Sequence, residues 1–68
     1  MAIRLKVKEV AEAKGLSMTR LSQRAELAID TVRQIYRDPY RHVTYHTLDK
    51  IAKALGVTVA DLVEEVPD

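Results

Sequence analysis

Arg33 and Gln34 carry side chains suited to the edges of stacked bases. Arginine donates paired hydrogen bonds to guanine O6 and N7, and glutamine pairs with adenine N6 and N7. Ile29 and Asp30 lie one turn earlier, and Arg37 one turn later. An apolar side chain suits a thymine methyl group, and a carboxylate accepts from the cytosine N4 amine. If Val32 and Ile35 are buried in a helix, Ile29, Arg33 and Gln34 fall on its opposite face with Asp30 beside them. Contact with base edges is the chemistry expected of Ile29, Asp30, Arg33 and Gln34. Each has a plainer account. Arg33 and Gln34 also suit a solvated helix surface, Ile29 can pack against the preceding turn, and Asp30 offsets the helix dipole.

Catalysis has no comparable constellation. The chain has no glycine-rich phosphate loop, no paired carboxylates on separate elements and no cysteine. An enzyme is not expected, and no cofactor is implied. His42, His46 and Asp49 have a spacing that on one helix can hold zinc. Thr44 is expected to start that helix, which leaves His42 in a loop with no fourth ligand evident, so no metal site is expected.

These side chains need short helices to position them. Val7, Val10 and Ala11 among charged residues predict a first helix, ended by Gly15. Ser17 is an N-cap for a second helix to about Arg24, with Leu21 and Ala25 on its buried face. A third helix covers about 28–37, and Asp38-Pro39 marks the loop after it. Thr44 caps a fourth helix carrying Leu48, Ile51, Ala52 and Leu55, ended by Gly56. Thr58 and Asp61 resemble a capping box for a last short helix with Val59, Leu62 and Val63 on its apolar side. The expected architecture is all-α, with five short helices. Alternation from Ile3 to Val7 suggests a strand over 2–7, and 62–66 can also be extended, giving a small two-stranded sheet. The second and third helices, with a break of three or four residues, have the proportions of a helix-turn-helix.

Composition agrees with one small domain over residues 1–68. Apolar residues make up 47% of the chain, a globular share, and no apolar run approaches the ~20 residues of a membrane span. The absence of cysteine suits a reducing cytoplasm. Net charge is only +1, but every Lys and Arg lies within residues 1–56, whereas Asp61, Glu64, Glu65 and Asp68 crowd the end. A basic body with an acidic tail points weakly to a polyanion.

The chain resembles the lambda-repressor-like, Cro-type helix-turn-helix domains, also called the Xre family. The carriers are Lys14-Gly15-Leu16-Ser17, Leu21-Ser22, the stretch from Leu27 to Ile35, and above all the block from Leu48 to Leu62. The extended start and the Leu62 to Val66 ending look like the subgroup whose termini add a small sheet. The resemblance implies that the loop after helix three faces the DNA backbone. Arg37, Tyr40, Arg41 and His42 are then phosphate contacts, since cations and hydroxyls hold phosphate without reading sequence. Thr19 and Arg20, in the first turn of helix two, combine side-chain donors with backbone N–H groups that suit an anion. Four positions depart from the family. Glu26 stands where glycine is usual in the turn, Ala28 where Ser or Thr caps helix three, Met18 where Gln is common, and Tyr36 where Glu is usual. A non-glycine residue at positive φ costs of order 1 kcal/mol, so the turn is expected to be strained or differently shaped.

The resemblance implies a sequence-specific regulator of transcription, a repressor, which binds double-stranded DNA as a homodimer with helix three in the major groove. The alternative is an antitoxin-like or adaptor module on the same scaffold, whose partner is a toxin or another regulator.

Overall fold

A computed structural model describes residues 2–67. Strand β1 (Ala2–Leu5) leads into helices α1 (Val7–Ala13), α2 (Met18–Ala25), α3 (Ile29–Arg37) and α4 (Tyr45–Leu55). A single 3-10 turn (Val59–Leu62) and strand β2 (Val63–Val66) follow.

Ser17 Oγ accepts from the Arg20 N–H at 3.2 Å, and Thr44 Oγ1 from the Thr47 N–H at 3.2 Å. Each satisfies a backbone donor that the helix itself leaves unpaired. The helix ends are just as local. Gly15, Glu26 and Gly56 all take left-handed conformations. After each, the next N–H folds back to a carbonyl five residues earlier: Leu16 to Ala11, Leu27 to Ser22 and Val57 to Ala52, at 2.9–3.0 Å.

The core draws buried side chains from every element except β2, whose Val63 packs against it half-buried. Val7, Leu21, Val32, Ile35, Ile51 and Leu62 are fully enclosed, with Leu5, Ala11, Ala25, Leu48, Ala52 and Leu55 around them. α2 packs against both α3 and α4, so the buried side of α3 is held by the rest of the domain.

Three expectations change. The described residues contain four α-helices, not five, because the last helical segment closes after one 3-10 turn. Its capping box forms as expected, with Thr58 Oγ1 accepting from the Asp61 N–H and Asp61 accepting from the Thr58 N–H. That backbone hydrogen bond holds the Asp61 carboxyl below its usual range. Val63 then leaves in an extended conformation to pair with β1, which a longer helix would prevent. The first strand stops at Leu5 rather than residue 7. The Lys6 N–H closes the ladder onto the Leu62 carbonyl at 2.7 Å, while the Lys6 carbonyl accepts from Val10 and starts α1. The second strand likewise begins at Val63 rather than 62.

The two strands run antiparallel, with Ala2 opposite Val66 and Leu5 opposite Val63. Arg4 faces Glu64 in this register, bonds it at 3.1 Å and also pairs with Glu9. The two strands thus pair within one chain, joined by opposite charge across the ladder.

Candidate nucleic-acid interface

The helix-turn-helix is α2, the three residues Glu26, Leu27 and Ala28, and α3. Glu26 adopts φ 56° and ψ 42°, so the turn keeps the shape that glycine would take without cost, and bears the strain. Glu26→Gly relieves that strain but loosens the unfolded chain. The expected net effect is a gain of about 0.5 kcal/mol, measured as a raised urea midpoint. Glu26→Ala keeps the unfavourable conformation and should gain nothing.

Ala28 caps α3 in an extended conformation with no side-chain bond to the helix. The first turn of α3 depends on the helix dipole, which Asp30 offsets. Ala28→Ser supplies the missing acceptor and is expected to stabilise the domain by about 1 kcal/mol in the same urea assay.

Val32 and Ile35 anchor α3 in the core, and Asp30, Arg33, Gln34 and Arg37 are left exposed along it. This is the division the residue spacing called for. Ile29 is half-buried, so part of its surface is spent on packing. The exposed polar groups are linked. Arg33 lies 3.4 Å from the Asp30 carboxylate, and Arg41 Nη1 donates to Gln34 Oε1.

Thr19 and Arg20 are exposed in the first turn of α2. The Arg20 N–H is already bound to Ser17, so any anion there would meet the Met18 and Thr19 N–H groups and the Arg20 side chain instead. Beyond α3, the loop is held by Asp38, whose carboxylate accepts from the Tyr40 N–H at 3.1 Å and whose carbonyl accepts from the Arg41 N–H at 3.2 Å. Tyr40, Arg41 and His42 are exposed and border a groove that reaches Ile3 and Val43.

A second groove joins α1, the start of α2 and α3. It is lined by Lys8, Ser17, Met18, Arg33, Tyr36 and Arg37, among others. Lys8 is an exposed cation to which the sequence gave no binding role. Helical spacing gave it no link to Arg33 and Arg37, because only tertiary packing brings α1 beside α3. Tyr36 contributes an enclosed hydroxyl with no protein hydrogen-bond partner among the described residues. Burial, and secondarily the Glu12 carboxylate, push that hydroxyl above its ordinary pKa. Tyr45 is the other aromatic that sequence reasoning left without a role in binding. It stands at the start of α4 and is 72% exposed.

The surface therefore presents an exposed helix with side chains suited to base edges, flanked by the cations Lys8 and Arg41 from two further segments, with Arg20 exposed on α2. No curated protein matches the chain. Residues 6–68 match the family model for the Cro/C1-type HTH DNA-binding domain, and the chain belongs to that family.

Proposed function

We propose that this chain is a sequence-specific, double-stranded DNA-binding regulator of transcription in the cytoplasm, acting as a repressor. It places α3 in the major groove. Ile29, Asp30, Arg33 and Gln34 meet base edges, and Thr19, Arg20, Arg37, Tyr40, Arg41 and His42 meet phosphates. The observation that carries this reading is the division of α3. Val32 and Ile35 fix one side in the core, and the opposite side offers Arg33 and Gln34 to a partner. One helix-turn-helix reads only a few base pairs, so a useful specificity ratio calls for a homodimer on a pseudo-palindrome.

The test separates reading from anchoring. A preferred duplex is first selected from a random pool at stated salt. Arg33→Ala is expected to cost about 1–3 kcal/mol on that duplex and to relax preference at one or two base pairs. Arg37→Ala is expected to weaken preferred and random duplexes by a common factor. If Arg33→Ala also weakens both equally, α3 is not reading bases through that residue.

A further inference from the structure

Arg41 and Gln34 belong to different segments, a loop and a helix, yet their side chains meet. Arg41 Nη1 donates to Gln34 Oε1. A guanidinium has five N–H donors and no acceptor, so it can engage only the oxygen end of an amide. Its charge strengthens that bond relative to a neutral one. Resting on the reading of α3 as the base-reading helix, we propose that Arg41 is a positioning residue: it turns the oxygen of Gln34 toward the loop and its NH2 group outward, so that α3 favours a keto base over an amino base there.

The physical need for such a device follows from the amide itself. The last torsion of glutamine is broad and roughly two-fold. An exposed, unheld amide therefore exchanges its oxygen and nitrogen ends, and offers a donor or an acceptor to the groove with little discrimination. Gln34 is exposed. With its oxygen held, the outward group is a pair of N–H donors. Guanine O6 and thymine O4 accept from such donors. Cytosine N4 carries donors of its own and meets the amide donor to donor, while adenine keeps only N7 as an acceptor and loses the N6 to Oε1 half of its paired bond, so it is held less well than guanine.

The neighbours support the same pairing. The Asp30 carboxylate, the other acceptor on this face of α3, is engaged by Arg33 at 3.4 Å. The backbone at Arg41 is tied to Asp38 at 3.2 Å, so the loop fixes the position from which the exposed Arg41 side chain reaches Gln34. Arg41 uses one donor on Gln34 and keeps others for a phosphate. One residue then links anchoring on the backbone to the orientation of a base-reading group, and its loss changes more than affinity.

Two measurements test this. The first needs no DNA. Nuclear relaxation of the Gln34 side-chain Nε2–H2 group is compared between the wild-type chain and Arg41→Ala. The group is expected to be ordered in the first and mobile in the second. Equal mobility in both overturns the proposal. The second uses the selected duplex and its three variants at the base pair whose preference disappears in Gln34→Ala. The wild-type chain is expected to prefer guanine or thymine facing Gln34 by about tenfold over adenine or cytosine. Arg41→Ala is expected to abolish most of that preference, and to alter no preference in the Gln34→Ala background. An adenine or cytosine preference in the wild type, or a uniform loss with the preference intact in Arg41→Ala, overturns the proposal. Absence of any duplex binding by the wild type instead overturns the DNA reading together with the base preference, while the relaxation result still decides the contact.

Discussion

Between 50 and 200 mM salt, the affinity of this chain for its preferred duplex is expected to fall by about 500-fold if one subunit binds and by about 3 × 10⁵-fold if two do. Each phosphate neutralised by the protein releases condensed counterions, and log K falls with log salt at a slope of about −0.9 per contact. About five contacts per subunit give a slope near −4.5, and a homodimer on two half-sites gives one near −9. Arg20, Arg37 and Arg41 are exposed, Arg37 lies on α3, Arg41 bonds Gln34 of α3, and Lys8 lines the groove beside Arg33 and Arg37. The measurement is a titration of duplex at five or more salt concentrations. A slope near −9 supports two bound subunits, and one near −4.5 supports a single subunit. An affinity unchanged across the range would remove DNA as the partner. Random duplexes should show a similar slope at lower affinity, because phosphate contacts carry no sequence information.

What was legible in the sequence was mostly local. Ser17 and Thr44 announce their caps because the bond each makes spans three residues. Thr58 and Asp61 announce a helical start for the same reason, but nothing within four residues tells how far that helix runs. Its end is dictated by β1, which lies at the other end of the chain and needs Val63 extended. The same limit applies to the site. Helical spacing correctly separates Val32 and Ile35 from Arg33, Gln34 and Arg37, since all five lie on one element. The Arg41 to Gln34 bond joins two elements, and Lys8 approaches Arg33 only through packing of α1 on α3. No periodicity within a segment encodes either. Glu26 is the instructive case between these extremes. The departure from the family's usual glycine argued for strain or a different turn, and the chain takes the strained option because Leu27 bonds the Ser22 carbonyl in the same way that the two glycine-ended helices close.

The packing of α2 on α3 supports the reading face, and Leu21 is the side chain whose loss should destabilise the domain most. Leu21 is fully buried in α2, the helix that packs on both α3 and α4. Leu21→Ala removes three carbons and leaves a cavity whose walls relax only in part, which costs about 2–5 kcal/mol. Stability of ~0.05–0.15 kcal/mol per residue gives a chain of this length roughly 3–10 kcal/mol in all. The substitution therefore takes a large share of the total, and urea unfolding should show a sharply lowered midpoint with partial unfolding before denaturant is added. Leu21→Met keeps most of the volume and should cost less than about 1.5 kcal/mol. The two variants also separate folding from recognition. Leu21 is fully buried and is not itself a proposed DNA contact, so Leu21→Ala should lose affinity only in proportion to its unfolded fraction. Saturating preferred duplex binds the folded form and should raise its midpoint by mass action, toward the value of the wild-type chain without DNA. A Leu21→Ala chain as stable as Leu21→Met would show that the α2–α3 junction is held by other contacts. A stable variant with lost specificity would instead show that α3 had shifted on its support.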